Sequence, residues 1–440
     1  MSSPIKNQQL ILDKLNIKTL NPMQLETHRA LSSADSVVLL SPTGTGKTLA
    51  FLLPIIEKLN IELQEVQAMI IVPSRELAIQ IEQVIREMGS GYKANAVYGG
   101  RASSKDKIEL KHRPAILIGT PGRIADHLRR ETFPVNHIHT LVLDEFDKSL
   151  EIGFEGEMSE IMRELPFVKK RVLTSATQEV EIPAFVHLKN PVYVNYLSEG
   201  LAQLEVKILS SSALNKAEAL IEALGYIGNH RGIVFCNFKD TIEQVSELLT
   251  KHKISHGCFY GDMEQKDRER ALIKFRNGTH QLIVATDLAA RGIDIPEIKY
   301  IMHFQMPQRI QEFTHRNGRT ARMNRDGTAY ILRWKGERMP LYIDINDYKN
   351  KTEDIKLMDL PAVSDWQTLF VSGGRKDKIS KGDIAGLFLK QGQLTADELG
   401  VIEIKQDCAF VGVKSSKLAG LLPLIDNSKL KKKKVRVTLI

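Results

Sequence analysis

The stretch Ser36-Val-Val-Leu-Leu-Ser-Pro-Thr-Gly-Thr-Gly-Lys-Thr48 constrains the fold of this chain more than any other. It reads as a short apolar strand, a tight glycine turn and the start of a helix that continues through the apolar run Leu49–Ile56. Strand, turn and helix in this order belong to an α/β architecture. Gly44 and Gly46 can take a left-handed backbone and let N–H groups approach a phosphate closely. Lys47 adds a point charge for the β- and γ-phosphates of a nucleotide. Thr48 offers a hydroxyl to Mg²⁺, and the helix directs its positive end at the anion. Ser41 stands where the general phosphate-loop pattern has glycine. Alone, the stretch would also suit an ordinary strand–turn–helix connection, so the rest of the chain decides.

Further short apolar runs follow. Ala68-Met-Ile-Ile-Val72 leads into Pro73-Ser-Arg-Glu-Leu-Ala78, and Ala115-Ile-Leu-Ile118 into Gly119-Thr-Pro-Gly-Arg123. Leu141-Val-Leu143 leads into Asp144-Glu-Phe-Asp147, and Arg171-Val-Leu-Thr174 into Ser175-Ala-Thr177. Helical segments alternate with them, as in a parallel sheet covered on both faces. Each polar signature lies just past the carboxyl end of a strand, where open α/β sheets bind ligands. Asp144 and Glu145 are then the expected partners of the phosphate loop. One carboxylate organises Mg²⁺, usually through water, and the other can deprotonate an attacking water.

The pattern restarts after the polar stretch 198–203. Gly232–Cys236, Gln281–Ala285, Tyr300–Phe304 and Thr328–Leu332 read as strands of a second α/β unit. This unit has no phosphate loop, so it is not a second copy of the same site. It carries Asp287-Leu-Ala-Ala-Arg-Gly-Ile-Asp294 at a strand end and His315-Arg-Asn-Gly-Arg-Thr-Ala-Arg322 on an expected helix. Arg316, Arg319 and Arg322 recur every third residue, which would align them on one helical face. Such a face is either solvated or a set of arginine fingers for a γ-phosphate.

A chain of 440 residues has room for two or three domains. The N-terminus lacks the apolar core of an export signal, and no apolar run reaches membrane-spanning length, so a soluble cytoplasmic protein is expected. Cys236, Cys258 and Cys408 lie far apart and suggest neither disulfides nor metal ligation. The net charge of +8 suits either a polyanionic partner or a merely basic soluble enzyme. Residues 365–440 hold 14 basic and 8 acidic residues, so this segment carries most of the excess.

The order of these signatures resembles the DEAD-box RNA helicases of superfamily two, over roughly Asn21 to Arg333. Gln24 is similar to the adenine-reading glutamine of that family's Q motif. SPTGTGKT (41–48) resembles motif I, in which the superfamily accepts a small residue for the first glycine. PSRELA (73–78), Gly99-Gly100 and TPGR (120–123) resemble the RNA-backbone motifs. DEFD (144–147) stands where the family has DEAD, and SAT (175–177) resembles the motif that couples ATP state to strand separation. IVFCN (233–237), Gln265 with Arg268, ATDLAARGID (285–294) and HRNGRTAR (315–322) complete the set. Three departures stand out. Phe146 replaces alanine, Ser74 replaces threonine, and Asn7-Gln8-Gln9-Leu10 offers no aromatic upstream of Gln24.

The resemblance implies two RecA-like lobes with ATP and Mg²⁺ between them. Gln24, Ser41, Thr43, Gly44, Thr45, Gly46, Lys47 and Thr48 would hold the nucleotide on one side, and Asp294, Arg319 and Arg322 would complete the site from the other. Glu145 would be the base for water, with Asp144 and Thr48 serving the metal. RNA would contact Arg75, Gly100, Thr120, Arg123, Arg268 and Thr286. Asp147, Ser175, Thr177 and His315 would couple the two ligands. The domain boundaries expected are 1–200, 201–345, a connector over 346–364 and a tail over 365–440.

The tail reads as β-α-β-β-α-β, the order of a small RRM-like domain. Its candidate RNA-stacking strand, Gln406–Val413, has Phe410 but carries Cys408 and Val413 where aromatics are expected. Lys431–Lys434 is either a solvated turn or a nucleic-acid contact. KISKGDIAGLF, ADELGVIEI and KKKKVRVTLI are similar to the C-terminal RNA-binding domain of one bacterial subfamily of these helicases. That likeness implies targeting to large-subunit rRNA in ribosome precursor particles, with no membrane partner. The expected activity is ATP-dependent separation of short RNA duplexes. An ATP-gated RNA clamp disabled by Phe146, and a general RNA chaperone without rRNA preference, are the competing readings.

Overall fold

Val37 and Leu39 point to one side of a strand and Val38 and Leu40 to the other, and both sides are buried. A strand apolar on both faces needs helices above and below it. The computed structural model of the chain shows this arrangement, and describes residues 7–100, 103–151, 153–177, 181–198, 204–287, 298–320, 326–334, 337–344, 351–356 and 358–440. Among the described residues the first lobe holds one parallel sheet. Its strands are β1 (Ser36–Leu40), β2 (Ala68–Ile71), β3 (Ala94–Val97), β4 (Ile116–Gly119), β5 (Thr140–Leu143), β6 (Lys170–Ser175) and β7 (Val192–Asn195). Their order is β3-β4-β2-β5-β6-β1-β7.

The helices of this lobe are α1 (Gln8–Lys14), α2 (Pro22–Ser33), α3 (Lys47–Lys58), α4 (Arg75–Met88), α5 (Ser103–Leu110), α6 (Pro121–Arg129), α7 (Phe146–Glu151) and α8 (Glu155–Glu164). Local chemistry starts them where the motifs sit. Asn21 and Gln24 form a reciprocal capping box at α2, and Ser74 caps α4 by accepting from Leu77 N–H. Sheet order divides the carboxyl edge in two. The segments after β3, β4 and β2 carry the signatures read as RNA motifs, and those after β5, β6 and β1 carry the nucleotide signatures.

The second lobe repeats the plan with β8 (Leu204–Ser210), β9 (Gly232–Phe235), β10 (His256–Phe259), β11 (Leu282–Ala285), β12 (Tyr300–His303), β13 (Gly327–Arg333) and β14 (Thr352–Asp354). The order is β10-β11-β9-β12-β13-β8-β14, again parallel. Its described helices are α9 (Lys216–Ile227), α10 (Lys239–Lys251), α11 (Gln265–Arg276) and α12 (Ile310–Asn317). Strand β14 lies inside the stretch read as an irregular connector. It is short and polar, so hydrophobic pattern gave no sign of it. Glu353 holds it in place, paired with Lys207 of β8 at 2.8 Å and accepting from Tyr226 Oη at 3.0 Å.

The tail consists of β15 (Trp366–Val371), α13 (Lys381–Gly386), β16 (Leu399–Ile404), β17 (Ala409–Lys414), α14 (Leu418–Ile425), the small hairpin β18 (Lys429–Leu430) and β19 (Lys433–Lys434), and β20 (Val437–Leu439). Its antiparallel sheet runs β16-β17-β15-β20, the order expected of an RRM-like domain. Leu369, Val371, Phe388, Val411, Val413 and Val435 form its core. Within the lysine run Lys431–Lys434, Lys431 and Lys432 form the turn of this hairpin and Lys433–Lys434 its second strand. Lobe 2 and the tail belong to one compact unit, and lobe 1 to another. No described helix is long and apolar enough to cross a membrane.

Candidate nucleotide and RNA sites

The loop between β1 and α3 is built to stay open around an anion. Gly44 and Gly46 have φ of 82° and 88°. The left-handed backbone favours glycine at both, and at Gly46 a Cβ would also displace the Gln24 amide, whose Nε2 would stand 2.5 Å away. Ser41, the departure from the general pattern, is fully buried and donates from Oγ to Thr45 Oγ1 at 2.7 Å; that hydroxyl donates to Pro42 O at 2.9 Å. The serine therefore braces the loop from within. Lys47 Nζ donates to Ser41 O at 2.6 Å and Pro42 O at 2.9 Å, which holds the ammonium inside the loop it serves.

Gln24 joins this loop to α2. Its Oε1 accepts from Asn21 N–H at 3.0 Å and its Nε2 donates to Gly46 O at 3.2 Å. Asn21 Nδ2 adds a second tie, to Thr45 O at 3.0 Å. The sequence reading missed Asn21, although Asn-Pro-x-Gln is itself a legible helix-start signal. Thr43 and Thr48 sit half-buried on either side of the two glycines.

The carboxylates meet the loop from β5. Asp144 is 3% exposed and accepts a hydrogen bond from Thr174 Oγ1. The same threonine accepts from Glu145 N–H at 3.1 Å. Burial and the neighbouring Glu145 push the Asp144 carboxyl up to about 6, against opposing pulls from Thr174 and Lys47. Glu145 has φ of 48°, a left-handed conformation that costs a non-glycine residue about 1 kcal/mol or more. Its Oε2 is buried without a hydrogen-bond partner. A carboxylate held in strained backbone with an orphaned oxygen, beside a second one short of positive charge, fits a site completed by a hydrated cation and a water. Asp144 and Thr48 present oxygen donors of the kind Mg²⁺ favours, since that metal prefers oxygen ligands and keeps part of its water. Thr174 was not singled out from sequence. It precedes Ser175 directly, but only sheet order places it beside β5.

Phe146 does not face the chemistry. It is 2% exposed and belongs to the core cluster with Leu143, Met158 and Leu173. The three lobe 1 residues expected to couple the ligands are brought together. Thr177 Oγ1 donates to Asp147 Oδ2 at 3.2 Å, and Ser175 Oγ donates to Thr177 O at 2.7 Å.

On the other half of the edge, Arg75 lies against Gly99 and Gly100. A Cβ at Gly100 would stand 2.6 Å from Arg75 Nη1. Thr120 is the N-cap residue of α6. Arg123 is held within the lobe: Nε donates to the fully buried Asp106 at 2.8 Å, and Nη1 reaches Asp126 at 3.4 Å. His127 Nε2 shares that Asp106 oxygen at 3.2 Å.

In lobe 2 the arginine repeat does not form one helical face. Helix α12 ends at Asn317 and Gly318 follows, a stop that Asn-Gly in the sequence could have signalled. Arg316 is 1% exposed and neither solvated nor aimed at a ligand. It donates to both oxygens of Asp287, to Asn237 Oδ1 at 2.7 Å and to Gln305 O at 2.6 Å, with its guanidinium over Phe235. This one side chain ties three second-lobe motifs together. Arg319, in the turn after the helix, is 5% exposed, and His315 is 9% exposed. Arg268 is buried over the Phe259 ring, and Thr286 follows β11 with its N–H on Phe259 O at 3.3 Å. Asp294 and Arg322 lie outside the described residues.

Three family profiles match in sequence order: DEAD/DEAH box helicase over residues 21–184, Helicase conserved C-terminal domain over 215–324, and DbpA RNA binding domain over 368–439. The chain is 32% identical over 441 residues to the ATP-dependent RNA helicase DbpA of Bacillus subtilis, covering 93% of this chain and 92% of that one. It is 29% identical over 439 residues to the protein of the same name in Escherichia coli, covering 98% and 96%. Among solved structures it is similar to Mss116p bound to ssRNA and AMP-PNP, with a TM-score of 0.69 and 26% identity over 80% of this chain and 77% of that one. A braced phosphate loop, a strained glutamate at a strand end and a small RNA-binding tail thus meet in one chain that belongs to the DEAD-box ATP-dependent RNA helicases of the DbpA type.

Proposed function

We propose that this RNA helicase hydrolyses Mg²⁺-ATP in the cytoplasm to separate short duplexes in large-subunit rRNA, within ribosome precursor particles. The observation that carries the hydrolytic part is Glu145, held at φ 48° with a buried, unpartnered Oε2 beside the elevated Asp144. A base with an open acceptor oxygen can take a proton from water. Bound at Thr48 and, through water, at Asp144, Mg²⁺ would offset phosphate charge. Lys47 and the loop amides hold the phosphates, Gln24 reads adenine, and Arg319 and Arg322 serve the γ-phosphate. Arg75, Gly100 and Thr120 bind RNA through its backbone, which positions a strand without reading sequence. Selection then falls to the tail. Burial of Phe146 in the core supports hydrolysis over the clamp reading, because the ring sits apart from the reacting groups.

The test is steady-state ATPase activity with no RNA, with unrelated RNA, and with an rRNA fragment carrying a structured hairpin, beside a Lys47→Ala control. Stimulation by RNA above the control supports the helicase. Preferential stimulation by the rRNA fragment supports targeting, and equal stimulation by both RNAs favours the chaperone reading.

A further inference from the structure

RRM domains stack bases on the outward face of their sheet. In this chain part of that face is occupied by the chain itself. Alternation along β15 sends Leu369 and Val371 into the core and turns Trp366, Thr368 and Phe370 outward. Phe410 and Gly412 of β17 share the outward face, since Val411 and Val413 point inward. The turn after α11 of lobe 2 covers the part of it around Trp366, Thr368 and Gly412. Thr279 and Thr368 share a hydrogen bond between their hydroxyls at 2.7 Å, and Asn277 Nδ2 donates to Thr368 Oγ1 at 3.3 Å. All three residues are buried. Trp366 lies along Gly278, where a Cβ would be 3.5 Å from the indole. At the rim, Arg276 makes a two-pronged pair with Glu403 of β16, and Lys405 stands 3.5 Å from Glu269.

Two described points of the connector are anchored to lobe 2. Strand β14 pairs with β8, and Ser364 Oγ donates to Gly278 O. Interfaces between domains of one chain default to mobility unless something fixes them. Buried hydroxyl and amide groups do fix a pose, because any other orientation leaves them unpaired at a cost. A group of the tail's exposed lysines lies elsewhere, on the 375–383 segment and the hairpin: Lys376, Lys378, Lys381, Lys431, Lys432 and Lys434. Lys431 pairs with Asp383 at 2.9 Å and Lys433 with Asp377 at 2.8 Å, which fastens the hairpin to the 375–383 segment.

We propose that the outward sheet face of the tail is a docking face for lobe 2, and that Arg276, Thr279, Thr368 and Glu403 are positioning residues for RNA-activated ATP turnover. The tail is then a rigid extension of lobe 2. RNA held on its basic loops is presented to that lobe at a fixed place, rather than tethered at the effective concentration a loose linker would give. This rests on the reading above that the tail selects RNA.

The test uses the full chain with Arg276→Glu, Glu403→Arg and the double charge swap. Three quantities are read: the RNA concentration giving half-maximal ATPase activity with hairpin-bearing rRNA, the nucleotide-free affinity for the same RNA, and energy transfer between dyes on lobe 2 and the tail. Each single variant is expected to raise the half-activating concentration about tenfold and to broaden the dye distance, while RNA affinity is unchanged. The double swap should restore both. Single variants that activate as the wild type does, or lose RNA affinity in step with activation, or are not rescued by the swap, overturn the proposal. If wild-type protein shows no hairpin preference, RNA targeting has failed instead, and dye distances unchanged in the single variants then overturn docking on their own.

Discussion

Replacing Phe146 with alanine restores the residue that this family's motif has at that position, and the structure predicts that the change is harmful. The ring is 2% exposed within the cluster that packs α7 and α8 against one face of the lobe 1 sheet. Deleting a buried phenyl group removes its transfer free energy and leaves a cavity, together about 3–5 kcal/mol. For a lobe of this size each kcal/mol moves the melting temperature by roughly 2–4 °C, so a drop of about 6 °C or more is expected. The assay is thermal unfolding of the full chain, followed in the transition that bound ATP analogue shifts upward. Turnover measured well below that transition should stay within about twofold of wild type, because the ring touches none of the reacting groups. A Phe146→Ala protein that keeps its melting temperature and turns over faster would refute this reasoning. It would mean that the ring obstructs the site, as the clamp reading holds.

Other outcomes follow from the same geometry. Asp144 titrates at about 6 when folded and near 3.8 when unfolded, so the native state holds the extra proton between those values. The stability it contributes is therefore lost as pH rises through that window. Asp144→Asn should raise the neutral-pH melting temperature of the ligand-free protein while abolishing ATPase activity. In the wild type, kcat/KM should fall on the acid side near pH 6, and that limb should move lower as Mg²⁺ is raised. Arg316→Ala breaks a partly buried pair and a set of hydrogen bonds around a buried guanidinium, a loss of about 3 kcal/mol that lowers the melting temperature. Arg319→Ala, assayed below its own melting transition, should cut kcat about 10³-fold, the size of an arginine-finger effect. Ser41→Gly breaks the loop's inner brace and should raise the KM for ATP by about two- to tenfold, as one hydrogen bond of roughly 0.5–1.5 kcal/mol allows.

Strand-end motifs were legible because their chemistry is local. A glycine with positive φ, a helix cap and a run of apolar residues all announce themselves within about ten residues. The phosphate loop, DEFD and SAT were therefore placed correctly at their strands, and the two lobes with an RRM-like tail could be named. What stayed hidden depends on residues distant in sequence. The use of Thr174 by Asp144 follows from β5 and β6 being neighbours, which no local pattern states. Arg316 read as a surface or ligand-facing charge because periodicity gives a face and not what covers it; Asp287, Asn237 and Phe235 cover it from two other strands. The hairpin at Lys429–Lys434 was missed because two-residue strands carry no period. Strand β14 escaped for the same reason.

That three-residue strand bears on where the chain can be cut. A helicase core ended at residue 345, the boundary suggested by sequence, would lack Thr352–Asp354, which pairs with Ile208–Ser210, and would leave that edge of the seven-residue β8 without its partner strand. Bare strand edges of that length recruit strands from other molecules. Such a truncation should precipitate or self-associate, whereas one carried to residue 356 keeps the edge paired. Loss of solubility in a shortened core would then report an unprotected sheet rather than any need for the RNA-binding tail.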